Sequence, residues 1–337
     1  MSRLFARSRK GRLWVAVLAG GLLLASAMSA WLVRRSSADQ CALPGLDGSP
    51  RPVFALTVDG LPDDLAAAQR VTTEVHRAPD VLMWYVAWSA GGDFPVDAVR
   101  RVRARGAVPE ITWEPWDPAA GADQPAYRLR RIAGGAYDGY LTRWARQVAA
   151  YGGPVWLRFG HEMNTATYPW GEVEGRNAPG SYVEAWRHVR RVFEAQQASN
   201  VTWVWSPNVP YAETTPLEAL YPGDDQADVV ALDGYNWSTL QPGSSWTSFE
   251  DVFSSGLEEL ERISDRPQII GEVASTEVGG DKAAWVRGMF ATLDKRPQVC
   301  AFTWFDLAKE TDWRIDSSPA SSSAFADGLG RSRRSSH

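Results

Sequence analysis

Histidine and cysteine are scarce in this chain of 337 residues, at four and two respectively. His76, His161, His188 and His337 show no metal-ligand spacing, and two cysteines do not complete a metal set, so no metal is expected. No sustained basic face appears, and the formal net charge is -5 with both signs mixed through the chain. That gives no reason to expect a nucleic-acid partner. No repeat of solenoid length is present. The first apolar run is followed by Val58-Asp59-Gly60-Leu61-Pro62, not by the Gly-rich phosphate loop that a doubly wound sheet would want.

One long uncharged run does occur. Leu13 to Val33 is largely apolar, preceded by Arg3, Arg7, Arg9, Lys10 and Arg12 and closed by Arg34 and Arg35. It is long enough to span a bilayer as a helix, and the heavier charge before it predicts a cytoplasmic N-terminus. Ala25-Ser26-Ala27 fits a small-x-small cleavage site. Residues 1–35 are therefore read as a signal peptide or an uncleaved signal anchor. The remainder is expected to be secreted or extracytoplasmic, held to the membrane if the segment stays on. Residues 36–51 read as a polar, Gly/Pro-rich linker, 52–329 as one domain, and 330–337, with Arg331, Arg333, Arg334 and several serines, as a disordered tail. A monomer is expected.

Within 52–329 a short apolar run, a polar or aromatic loop, an amphipathic stretch and a breaker recur. The spacing predicts strands at Val53–Val58, Val81–Trp88, Val108–Trp113, Val155–Phe159, Val201–Trp205, Val229–Leu232, Gln268–Ile270 and Cys300–Trp304. Helical periods cover Asp63–Arg77, Val96–Arg105, Ala136–Tyr151, Tyr182–Ala198, Pro216–Leu220, Phe249–Ile263, Lys282–Leu293 and Ser321–Leu329. Eight strands alternating with eight helices over roughly 280 residues has the count and size of a (β/α)8 TIM barrel.

A barrel demands that functional residues gather where strands end. They do. Strand one is followed by Asp59 and strand two ends at Trp88. Trp113-Glu114-Pro115-Trp116 follows three, His161-Glu162-Met163-Asn164 follows four, and Ser206-Pro207-Asn208 follows five. Asp233 to Trp237 follows six, Gly271-Glu272 seven, and Trp304-Phe305-Asp306 lies at the end of eight. The opposite ends carry only Pro, Gly and small or unremarkable residues. Seventeen Trp residues are unusually many, and twelve of them fall in predicted strands or the loops just after them. Trp stacks on sugar rings but is also an ordinary core residue, a role expected for about half of them. Two carboxyl groups on opposite sides of a scissile bond suit glycoside hydrolysis. Glu162 and Glu272 are the natural pair, with Glu114, Asp233 and Asp306 as competitors.

Arg158-Phe159-Gly160-His161-Glu162-Met163-Asn164 together with Tyr168-Pro169-Trp170-Gly171 resembles the acid/base signature of glycoside hydrolase family 26. That retaining (β/α)8 family includes β-mannanases and enzymes that cut mixed-linkage β-glucan or β-1,3-xylan. Ile269 to Ser275 resembles its nucleophile strand, Asp233 to Trp237 its strand-six segment, and Trp304 with Lys309 to Arg314 the end of the barrel. The resemblance implies Glu162 as acid/base and Glu272 as nucleophile, with Tyr235 holding Glu272. It implies that His161 touches the sugar, and that Asn164, Trp170 and Trp304 shape the sites beside the cut. Arg158 is either a neutralising group for the carboxylates or an interior ion pair. Trp113, Glu114 and Trp116 are distal glycan contacts or core.

The substrate implied is a β-linked polysaccharide or oligosaccharide, cut internally by double displacement with no cofactor. Thr165-Ala166-Thr167 after the signature departs from many mannanases, so mannan and mixed-linkage β-1,3-1,4-glucan rank nearly level. A self-made exopolysaccharide is a further substrate, and a non-catalytic glycan-binding barrel is the rival reading. Cys41 and Cys300 lie next to strands that are neighbours at the bottom of a closed barrel, so they are expected to be bridged in an exported protein, against two free buried thiols.

Overall fold

In the computed structural model, residues 41–46, 52–173 and 175–334 are described. The readings of residues 1–40, including the apolar run and cleavage site, lie outside them. The strands β1 (Val53–Val58), β2 (Val81–Ala87), β3 (Val108–Glu114), β4 (Val155–Phe159), β5 (Val201–Trp205), β6 (Val229–Asn236), β7 (Gln268–Ser275) and β8 (Val299–Asp306) are parallel and close into a barrel in chain order. Around it run α1 (Ala66–Val75), α2 (Val96–Ala104), α3 (Leu129–Ala133), α4 (Asp138–Tyr151), α5 (Ser181–Ala195), α6 (Leu217–Leu220), α7 (Phe249–Ile263), α8 (Lys282–Lys295) and α9 (Pro319–Arg334).

Strand alternation sorts the side chains into two populations. Val53, Ala55, Val81, Val108, Trp156, Val204, Val229, Ala231, Ile269 and Ala301 form one buried cluster that fills the lower barrel. The intervening residues, such as Phe54, Leu56, Trp84, Ile111, Trp113, Leu157, Phe159, Phe302 and Trp304, join the helices in a second cluster. Fully burying each such side chain is worth about 1.5–3 kcal/mol, so this parity is strongly fixed. It also decides which polar residues face the barrel axis.

The domain is longer at both ends than its sequence pattern indicates. Cys41, Leu43 and Leu46 belong to the lower-barrel cluster, and the Trp156 indole donates to the Pro44 carbonyl at 3.0 Å. Residues 41–46, read as linker, therefore form part of the barrel floor. Cys41 is bridged to Cys300, with a Cα–Cα distance of 5.3 Å. At the other end, α9 continues to Arg334, five residues into the stretch read as disordered tail.

Strands β6 and β7 also outrun their predicted ends, Leu232 and Ile270. Polar and glycine residues interrupt the apolar pattern there while the backbone stays extended. The short helix α3 carries no sequence signal long enough to show a period.

Candidate active site

The tip of β4 is built to present one carboxyl group. Beyond Phe159 the chain turns through Gly160 and Glu162, both left-handed at φ 55° and 50°. Glycine adopts that conformation freely, whereas in glutamate it is unfavourable and must be held by its surroundings. The Glu162 amide donates to the Ser206 carbonyl at 2.7 Å, fixing the turn to the end of β5. The Asn208 side-chain amide donates to Glu162 Oε1 at 2.8 Å. Burial and the charge of Glu272 push the Glu162 carboxyl up to about 7, against the pull of Asn208 and Arg158. At neutral pH it is therefore poised to hold or release a proton.

Glu272 faces the axis because of a break in strand parity. Leu232 pairs with Ile270 but Asp233 pairs with Glu272, so Gly271 is an extra residue in β7 and the next side chain turns inward. A Cβ on Gly271 would collide with the Asp233 carboxylate and the Ser206 hydroxyl, which leaves room for glycine alone. Glu272 Oε1 accepts from the Tyr85 hydroxyl at 2.7 Å and from the Arg158 guanidinium, and Oε2 accepts from the Tyr235 hydroxyl. Burial alone would raise this carboxyl. The adjacent Arg158 charge and the Tyr235 bond overcome it and hold the group down at about 2. Two glutamates in one pocket are thus driven apart, Glu272 ionised and Glu162 raised into the neutral range.

Arg158 is completely buried and is engaged on every side. It donates to Thr112 Oγ1 at 2.9 Å and to both Asp233 oxygens at 3.0 Å, besides Glu272. It is not a substrate contact but an interior cation that orients Glu272. Asp233 and Asp306 fall away as rival catalytic groups. Asp233 is fully buried against Arg158 and Ser206, and Asp306 accepts from the Ile315 amide at 2.5 Å.

His161 is buried with Nε2 3.2 Å from the Tyr168 hydroxyl, its ring packed near Tyr85, Tyr168 and Trp170. Burial, reinforced by the Arg158 charge, lowers it to about 3, so it is neutral. Its Nδ1 lies 4.0 Å from Glu114 Oε1, beyond hydrogen-bonding distance. Glu114 itself is pushed up to about 7, chiefly by burial.

Several expected sugar contacts are buried supports instead. Trp113 and Trp304 are fully buried on the outward parity of their strands. Trp113 stacks on Trp144 of α4, and Trp304 packs on Trp285 of α8 and Phe325 of α9. Trp170 is also fully buried, stacked on Tyr168 at 4.5 Å and donating to the His161 carbonyl at 2.6 Å. Asn164 spends its amide on the Asn208 backbone, accepting from its N–H and donating to its carbonyl, both at 2.9 Å. Among the described residues only Trp116, Trp237 and Trp246 keep partial exposure, so the core role holds for twelve of fifteen described Trp residues.

Tyr85 and Thr112 escaped the sequence reading, and Asn208 was placed at its strand end without a role. Tyr85 could have been found by counting inward parity from Val81. Among the described residues no three His, Cys, Asp or Glu are grouped as a metal-binding set.

A family model described as glycosyl hydrolase family 26 matches residues 84–296, which include both glutamates. This chain belongs to glycosyl hydrolase family 26. Among curated proteins it is similar to Endoglucanase H of Acetivibrio thermocellus, 38% identical over 259 residues, covering 75% of this chain and 28% of that protein. Mannan endo-1,4-beta-mannosidase A and B of Caldalkalibacillus mannanilyticus is 37% identical over 82 residues, covering 23% of this chain and 15% of that one. This family 26 chain thus spans less than a third of the length of the curated relatives it matches. The catalytic domain of a family 26 endo-β-1,4-mannanase from Bacillus sp. JAMB-750 superposes with a TM-score of 0.64 at 17% identity, covering 83% of this chain and 86% of that one. That likeness concerns the fold alone.

Proposed function

We propose that this family 26 protein is an endo-acting, retaining β-glycoside hydrolase that cuts a β-linked glucan or mannan by double displacement. The carrying observation is the pair of opposed glutamates: Glu272 kept ionised by Arg158, Tyr85 and Tyr235, and Glu162 raised into the neutral range, where it can give and take a proton, by burial and by the Glu272 charge. Glu272 attacks the anomeric carbon while Glu162 delivers its proton to the leaving oxygen. In the glycosyl-enzyme the Glu272 charge is gone, which removes one of the two influences that raised Glu162. Glu162 then takes a proton from a water whose oxygen bonds to the anomeric carbon, the bond to Glu272 breaks to restore its carboxylate, and the sugar leaves with its configuration retained.

Glucan is placed first because the relative named endoglucanase aligns with 75% of this chain, against 23% and 53% for those named mannosidases. Export is part of the proposal. It is supported by the basic and apolar N-terminal pattern and by the Cys41–Cys300 bridge, since disulfides persist in oxidising compartments. We further propose that the protein acts as a monomer, membrane-tethered where the N-terminal segment is retained.

The test is product release from mixed-linkage β-glucan, mannan, β-1,3-xylan and cellulose by wild type, Glu162→Ala and Glu272→Ala. Cleavage of one polymer, lost in both variants, is expected. A polymer bound but never cut would favour the glycan-binding barrel, and activity surviving Glu272→Ala would remove the nucleophile.

A further inference from the structure

The large apolar side chains left exposed among the described residues are Tyr211, Leu240 and Val278. They are not scattered. They lie on the loops following β5, β6 and β7, on one arc of the end that carries both glutamates. The half-buried Trp237 and Trp246 share the loop after β6.

Tyr211 is the best placed of these. It sits three residues beyond Asn208, the residue that donates to Glu162. A tight turn holds it: the Thr214 amide donates to the Tyr211 carbonyl at 3.0 Å, and the Tyr211 amide donates to Thr214 Oγ1 at 3.2 Å. Both ends of the segment are fixed to Asn164 on the β4 tip. The Asn208 amide donates to Asn164 Oδ1 and the Thr215 amide to the Asn164 carbonyl, each at 2.9 Å. The pedestal is therefore rigid relative to the acid, while the ring it presents is 49% exposed. Glu162 lies close enough for its charge, after burial, to help raise the Tyr211 hydroxyl.

We propose that Tyr211 is a stacking platform for the saccharide on the leaving-group side of the cut, and that it sets preference for chains extended in that direction. The inference rests on Glu162 being the acid. A general acid must lie beside the glycosidic oxygen that departs, so the departing sugar lies along the flank of Glu162, and the loop fixed to that flank is the one bearing Tyr211. The opposite partner, Glu272, is enclosed by Tyr85 and Tyr235, where the sugar that becomes attached to the enzyme must sit. An exposed aromatic ring beside an apolar sugar face is the usual recognition element for a pyranose.

The experiment compares kcat/KM for the polysaccharide that the protein cuts with kcat/KM for a dinitrophenyl β-glycoside of the matching disaccharide. The second substrate has no sugar on the leaving side and needs no proton from Glu162. For Tyr211→Ala, the ratio of polymer to aryl-glycoside kcat/KM falls by about fivefold to tenfold, and Tyr211→Phe restores it. Equal loss on both substrates, an unchanged ratio, or a Phe variant as poor as Ala would overturn the proposal. A wild-type protein that cuts neither substrate would sink the hydrolase reading and this one with it. An active wild type with an unchanged ratio removes only the role of Tyr211.

Discussion

Replacing Glu110 by Gln should make the barrel more stable, and increasingly so as pH rises. Glu110 is fully buried on the inner parity of β3, two residues below Thr112, and neither carboxyl oxygen has a hydrogen-bond partner in the protein. Burial raises it from 4.5 to about 7, against the attraction of Arg158 and with a further push from Glu272. Below pH 4.5 the carboxyl is protonated in folded and unfolded chains alike, and the shift has no effect on stability. Between 4.5 and about 7 the unfolded chain releases the proton while the folded one retains it, so the native state loses ground at about 1.36 kcal/mol per pH unit. Above pH 7 the loss is constant at roughly 3 kcal/mol. Gln keeps the shape and removes the titration.

Thermal midpoints of wild type and Glu110→Gln at pH 4, 6 and 8 measure this. The difference should grow from near zero to about 6 °C in favour of the variant, taking about 2 °C per kcal/mol for a domain of this size. An offset that is the same at all three pH values would refute the reasoning, because it would show that Glu110 does not titrate differently in the folded state.

Two further outcomes follow from the pocket. Asn208→Ala removes a hydrogen bond that lowers Glu162, so the alkaline limb of the kcat/KM profile should move up by roughly 0.5–1 pH units; a downward move would contradict the assignment. Tyr85→Phe removes a hydroxyl from Glu272 and should cut kcat/KM by about tenfold to a hundredfold. The acid limb should rise at the same time, because the ionised carboxylate loses a donor; burst kinetics with an aryl glycoside would locate the loss in the first step.

The apolar centres of all eight strands were legible because Val, Ile, Leu and Trp runs bounded by breakers leave few alternatives. Strand tips were harder. Asp233, Tyr235 and Glu272 are polar residues inside strands, and a pattern that equates polarity with loops ends β6 and β7 too early. The Glu162 and Glu272 pair could still be singled out, because carboxyls at strand ends, together with the resemblance of the segments around them, are signals that do not depend on exact boundaries.

Trp304, expected from the resemblance to shape the sites beside the cut, and Trp113, read as a distal glycan contact or core, both face away from the barrel axis. Counted by twos from Val108, the inward residues of β3 are Glu110, Thr112 and Glu114, and Trp113 must face α4. The bulge at Gly271 shows the limit of such counting. It depends on the fit of Gly271 against Asp233 and Ser206 from other strands, which no local pattern encodes.

The division of labour between two chemically identical glutamates comes from one cation. Glu110, Glu114, Glu162 and Asp233 are all pushed upward by burial, and Glu272 alone is held down. Arg158 carries a single charge, so it can sustain one fully ionised partner without leaving excess negative charge in the barrel. Geometry selects which: Glu272 has hydroxyl donors on both oxygens in addition to the guanidinium, whereas Glu162 receives only the Asn208 amide. Exchanging the two residue types would therefore change nothing, because both are already Glu. Moving the cation would exchange their roles. The bottom of this site, an arginine reached through the inward parity of β4, thus determines which carboxyl is held ionised and which is raised toward neutrality.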